Sequence, residues 1–318
     1  YDNFTISGGT FTASSGTLKT HLKGGDSQTF TGSFTANNLN IFGDICCNST
    51  EIIISSGTTI TVNGTLTFDD NAGDQNAYLQ GPGAIHAKGP VSVLNNGFKD
   101  QISTNNSSVV VNGTGNQTIT GISGVGNANL PNLTINKTSG DITFVDRIGI
   151  FGNFTFTDAD SVISTGSTVE FWGYDAETYT LTGSITLDDV TFHYDNCCNG
   201  ATHAIASGTT ITVNGDLLIE QLGSRNDSGI DGPGGIDVKG NVTVSGDICS
   251  NGCSAPLTIS GSSNTNLANG STTGFLDGTL TINKSSTGTV TLGSALNLDG
   301  SGQDLTVTDG TLANSSYA

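Results

Sequence analysis

Basic residues are scarce in this chain of 318: nine Lys and Arg stand against 28 Asp and Glu, a formal charge of −19. Such a surface repels phosphate backbones and anionic headgroups, so no nucleic-acid partner is expected. Long apolar runs are missing too. No stretch approaches the ~18 consecutive apolar residues of a spanning helix, so no membrane span is expected, and no basic-plus-apolar leader stands before Tyr1, which reads as the start of a processed chain. Methionine is absent, Trp occurs once, Pro five times, and only 12% of residues are charged. Leu, Glu, Lys and Ala nowhere gather at a 3.6-residue period, which excludes the helix as the main element.

What is abundant is Gly, at 45 residues, with many Thr, Ser and Asn. The 34% of hydrophobic residues sit in short alternating runs, so this composition belongs to a folding chain and not to a disordered one. "TITV" at Thr59, "TLTF" at Thr65, "VSVL" at Val91, "LTIN" at Leu133 and "FTFT" at Phe154 each alternate β-branched or aromatic residues with polar ones between Gly, Asn or Asp. Antiparallel hairpins would use the Asn-Gly pairs at Asn63-Gly64, Asn112-Gly113 and Asn214-Gly215. Strands this short, following one another at close and even spacing, fit stacked parallel coils better, with Ile, Val, Leu and Phe in inward ladders and Thr and Asn in outward ones.

The chain also repeats itself. "SSGTTITVNG" from Ser55 returns as "ASGTTITVNG" from Ala206, 151 positions on. The pair Cys46-Cys47 returns as Cys197-Cys198, and "GPGAIHAKGPVSV" from Gly81 as "GPGGIDVKGNVTV" from Gly232, at the same offset of 151. "NLTINKTSGDITF" from Asn132 answers "TLTINKSSTGTVTL" from Thr279 with the offset reduced to 147. The expected fold is therefore all-β: a right-handed parallel β-helix, or β-solenoid, made of two internal repeats of ~151 residues. The first solenoid unit is expected over 1–158 and the second over 159–318. "NFTISGGTF" from Asn3, "NFTFTDADSV" from Asn153 and "DLTVTDGTL" from Asp304 share one phase, so a third unit starts at the C-terminus. Coils left open expose strand edges, and the expected remedy is head-to-tail stacking of chains, with the chain itself as partner; a segment of a longer tandem array is the alternative.

Six cysteines without zinc spacing point to disulfides in an exported chain. Units placed end to end would set Cys46 and Cys197 a whole unit apart, beyond the ~7 Å between Cα atoms that a bridge tolerates. Cys249 and Cys253 in "CSNGC" then close their own loop, and Cys46-Cys47 and Cys197-Cys198 form vicinal disulfides. Free thiols, or bridges to a neighbouring molecule, are the alternative.

Catalytic constellations are weak. Glycoside cleavage needs two carboxylates about 5 to 10 Å apart, one tuned as an acid. The pairs Asp69-Asp70 and Asp188-Asp189 are read as solvated turn carboxylates, since Asp70 is answered by Gln221 in the second repeat. Asp-rich turns at 69–74 and 158–160 match neither the EF-hand loop nor the calcium nonapeptide. His21 and His86 are isolated; His86, answered by Asp237, is read as an outward position. His193 and His203 bracket Cys197-Cys198 and can be drawn as a metal set, although the first repeat lacks the histidines. Trp172 and Tyr174 are read as core or edge aromatics, with a sugar-stacking patch as the alternative. No catalytic, cofactor or metal residue is assigned, and no enzymatic activity is expected. Asn-x-Ser/Thr tripeptides, such as those at Asn3 and Asn153, abound in so Thr-rich a chain.

The stretches "LPNLTINKTSGDITF" and "GTLTINKSSTGTVTLGSALNL", with "TITVNGTLTF" and "NVTVSGD", resemble the repeat-rich β-helical proteins that bacteria secrete to their surfaces, adhesin-like and haemagglutinin-like ones among them. The resemblance covers most of the chain and implies a parallel β-helix outside the cell, at the cell surface, with a structural or adhesive role; it carries over no catalytic residues. The expected function is an extracellular β-solenoid subunit of a surface filament, with adhesive or biofilm-scaffolding work and surface glycans as further partners. A carbohydrate-binding or carbohydrate-cleaving β-helix is the alternative.

Overall fold

The computed structural model describes residues 3–23, 25–44, 50–70, 77–98, 107–124, 128–174, 177–194, 200–222, 228–248, 253–270, 277–285, 287–296 and 303–314. Every strand pair among them is parallel, no helix occurs, and the fold is a β-solenoid. None of the described segments is therefore a helix long and apolar enough to cross a membrane. The chain divides into two compact units, Tyr1–Ser167 and Thr168–Ala318.

In the first unit one wall stacks Phe34–Ala36, Thr59–Val62, Ala84–Ala87, Ser108–Val111, Asn132–Asn136 and Phe154–Asp158. Its rungs place Ile60 beneath Ile85, Val109, Leu133 and Phe154, so each coil consumes 21 to 25 residues. The alternation explains the placement: in Thr59–Val62 the side chains of Ile60 and Val62 are buried and those of Thr59 and Thr61 half-exposed. Successive side chains of a strand leave opposite faces, so a period of two closes one face on the core. A second wall stacks Asn38–Asp44, Leu66–Asp70, Val91–Asn95, Gln117–Thr120, Ile142–Val145 and Val162–Ile163.

The second unit repeats the principle. One wall runs from Ile185–Leu187 through Thr210–Val213, Gly235–Val238, Leu257–Ile259 and Leu280–Asn283 to Leu305–Asp309. Another begins with Thr168–Gly173, Asp189–Tyr194 and Leu217–Gln221. Burying each Ile, Val or Leu of these columns stabilises the fold by about 1.5 to 3 kcal/mol, so the columns are the main source of stability.

Corners need their own chemistry, because there the backbone leaves the ladder. Asn and Asp supply it: Asp189 Oδ1 accepts from the Asp216 amide at 2.7 Å, Asp216 Oδ1 from the Asn241 amide at 2.7 Å, and Asn241 Oδ1 from the Asn266 amide at 2.9 Å. In the first unit Asn38 Oδ1 accepts from the Thr65 amide at 2.8 Å. The Asn-Gly pairs, candidates for hairpins, lie at such corners instead; the Gly64 amide donates to Asn37 O of the coil before, at 2.6 Å. At the Gly-Pro-Gly corners, Gly81 and Gly232 have φ of +92° and +113°. A Cβ at either would run into Ile54 O or Ile205 O, so only glycine turns the chain there.

One expectation for the acidic pairs is corrected. Asp70 is not a solvated turn carboxylate: it ends the strand Leu66–Asp70 and is 0% exposed, because its place in the alternation faces inward. Asp189 opens the strand Asp189–Tyr194 and serves the corner ladder described above.

Candidate functional site

A compact group of chemistry-bearing side chains lies in the second unit, on the strands Thr168–Gly173, Asp189–Tyr194 and Leu217–Gln221 of one wall. Register pairs Glu170 with Thr191, and Trp172 with His193, which in turn pairs with Glu220. Phe171 and Phe192 leave the opposite face for the core, where their rings stack at 5.2 Å. Strand alternation therefore aims Glu170, Trp172, Thr191 and His193 away from that core. These outward residues are nonetheless closed off: Glu170 and His193 are 0% exposed and Trp172 6%.

His193 sits between two carboxylates. Its Nε2 lies 3.3 Å from Glu170 Oε1, and its Nδ1 lies 2.7 Å from Glu220 Oε1. The second approach is short but off the hydrogen-bond direction, so it is a close contact and not a directed bond. Trp172 stacks on the imidazole at 4.3 Å between centroids, and its Nε1–H donates to Glu170 Oε2 at 3.1 Å. One carboxylate thus serves the indole and the imidazole together. Each ring nitrogen of His193 faces a different carboxylate, so Glu170 and Glu220 stand on opposite edges of the ring and do not converge on one point.

His203 is in different surroundings. It faces the core amid Phe171, Phe192, Tyr179 and Tyr194, with centroids 5.3 to 6.2 Å away. Tyr194 Oη donates to Gly229 O at 2.8 Å and lies 3.0 Å from His203 Nδ1. Burial pushes His203 down to about 3 and the Tyr194 hydroxyl well above its ordinary range. His193 faces outward on Asp189–Tyr194, whereas His203 faces inward on Thr202–Ile205 of a different wall, and the two share no ligand set. Among the described residues no three His, Cys, Asp or Glu side chains gather as metal ligands.

Cys46, Cys47, Cys197, Cys198 and Cys249 lie outside the described residues. Cys253 is buried, its Sγ accepting from the Ile230 amide at 3.2 Å. His86 holds a half-exposed outward position 3.3 Å from Asn112 Nδ2, its basicity lowered by partial burial and then by Lys88. His21 packs edge-on to Phe42 at 5.1 Å. Tyr174 is 37% exposed, whereas Trp172 belongs to the buried cluster.

Sequence reasoning missed two buried lysines. Lys137 Nζ donates to Gly113 O at 2.8 Å, Gly115 O at 2.8 Å and Gln117 Oε1 at 2.9 Å. Lys284 Nζ donates to Ser260 O at 2.5 Å and Lys239 O at 3.3 Å. Burial lowers both amines, against nearby carboxylates that raise them. The signal was available: the phrase "INK" occurs at both places in a chain with only nine basic residues.

Fold and site together define an all-β parallel β-solenoid protein. Comparison with protein-family models, with curated proteins and with solved structures finds no match to the chain.

Proposed function

We propose that this chain is an extracellular structural protein, a β-solenoid subunit that stacks head to tail into a surface filament with adhesive or scaffolding work. The observation that carries the reading is the strand Leu305–Asp309. Among the described residues it is paired on one side only, with Leu280–Asn283, and all five of its residues are exposed, Leu305 at 40% and Val307 at 48%. Leu305 and Val307 continue the inward columns of Leu280 and Ile282 in register, so what they expose is the apolar column itself, ready for one more parallel rung. A second copy offers such a rung in its own coils. The non-enzymatic side of the reading is supported by His193, whose two nitrogens face Glu170 and Glu220 under the Trp172 ring. The extracellular placement rests on the resemblance to secreted surface proteins and on the expected disulfides. Peptide mapping without reduction is expected to return Cys249 linked to Cys253.

Electron microscopy of the purified chain tests the assembly. Filaments are expected, with a ~4.8 Å spacing along the axis in fibre diffraction. Val307→Lys places a charge in the exposed column and is expected to leave dispersed particles with an unchanged circular dichroism spectrum. Monodisperse wild-type chains at high concentration would overturn the reading.

A further inference from the structure

The outer face of the wall containing Thr210–Val213, Gly235–Val238 and Leu257–Ile259 carries a cavity of about 310 Å³. Thr210, Pro233, Gly235, Asp237, Pro256 and Thr258 line it. Register places Gly235 beside Thr210, and Asp237 between Thr212 and Thr258. At Gly235 a Cβ would meet Pro256 O at 2.9 Å and the Pro256 ring at 3.6 to 3.7 Å, so only glycine leaves this part of the notch free.

The first unit fills the matching place differently. There the strand reads Ala84 and His86, paired with Ser108 and Val110 of the next coil. In the second unit the same positions hold Gly235, Asp237, Pro256 and Thr258. The second unit thus loses a methyl, holds carboxylate in place of imidazole, moves the hydroxyl from the Ser108 position to Thr258 and gains a proline ring.

Asp237 supplies the second observation. Its Oδ1 is buried and has no hydrogen-bond donor, although the Lys284 charge lies close enough to feel it. Lys284 Nζ is committed to Ser260 O and Lys239 O. Oδ1 is closed to water, so a ligand in the notch meets the remainder of this half-exposed carboxylate, which accepts hydrogen bonds and offers none. A bare cation is poorly served here, because Thr209 O and Pro256 O already accept the amides of Gly235 and Ile236, leaving one carboxylate. A pyranose suits the site on every count: its hydroxyls donate to Asp237, exchange hydrogen bonds with Thr210 and Thr258, and its C–H face lies on Pro233 and Pro256.

We propose that this notch binds one neutral hexopyranose unit of a glycan, with Asp237 accepting from its hydroxyls and Gly235 providing the room. The site stands apart from the assembly strand, so it goes beyond the filament reading and survives that reading's failure.

Saturation-transfer NMR on the whole chain, with the methyl glycosides of glucose, galactose and mannose and with N-acetylglucosamine, tests it. At least one sugar is expected to bind saturably, with a Kd on the order of 1 to 10 mM for so small a contact. Asp237→Asn and Thr258→Val, both at lining side chains of the notch, are each expected to weaken that binding at least tenfold with unchanged circular dichroism. The proposal fails if none of the four sugars binds, or if binding survives both substitutions. It also fails if calorimetry with calcium chloride shows ion binding that Asp237→Asn abolishes while no sugar binds.

Discussion

His203 shows how a single side chain sets a pH limit. Fully buried among four aromatic rings, it is held near 3, against about 6.5 in an unfolded chain. Below pH 6.5 the unfolded chain takes up a proton that the folded one refuses, so the stability linked to this group is complete above 6.5 and is lost as pH falls toward 3. At pH 5 the loss is about 2 kcal/mol. His203→Phe is expected to shrink the difference between urea unfolding at pH 7 and pH 5 by that amount. Tyr194 keeps its bond to Gly229 O in the variant, since burial holds its hydroxyl protonated. Nothing in "ATHAIAS" marks His203 as a core residue except its phase: Ile205 lies two positions on, and the strand Thr202–Ile205 buries both. Lys137 is harder to read, because three acceptors from residues 113–117 make its burial tolerable, and that convergence depends on the coil before it.

At the level of strands and corners, the inward and outward faces were legible wherever β-branched residues alternate with Thr, as in Thr59–Val62 and Thr210–Val213. Alternation failed where both faces are closed. Trp172 and His193 are outward by phase yet buried, and Asp70 is inward despite its charge. Whether a second face is covered depends on contacts distant in sequence, which a local period does not contain. The candidate notch was illegible for the same reason, since its lining joins Thr210, Asp237 and Thr258 of three successive coils. Corner chemistry is more local and can be tested alone. Asp216 Oδ1 takes the Asn241 amide at 2.7 Å and its Nδ2 at 3.1 Å. Asp216→Ala is expected to cost about 1 kcal/mol in urea unfolding, in line with a lost exposed hydrogen bond, while Asp216→Asn, which keeps an acceptor, costs markedly less.

For the molecule as a whole, the charge of −19 opposes the contact that the exposed Leu305 and Val307 favour. Copies of one acidic chain repel until salt screens them, over about 10 Å at 0.1 M. Filament growth, followed by light scattering, is therefore expected to accelerate several-fold between 10 and 150 mM sodium chloride. Growth indifferent to salt would mean that the joined surfaces lie far from the acidic groups.

The rung spacing within each unit also bears on how such a chain can change length. Ile60, Ile85, Val109 and Leu133 occupy one column although 25, 24 and 24 residues separate them, so the corners absorb small differences while the strands keep their phase. Duplication or excision of one full circuit would hand each remaining column an equivalent neighbour. A single inserted codon inside a four-residue strand would instead turn its aliphatic side chains outward and its threonines inward. Gene length in this architecture is thus free to drift in whole circuits and is constrained within them.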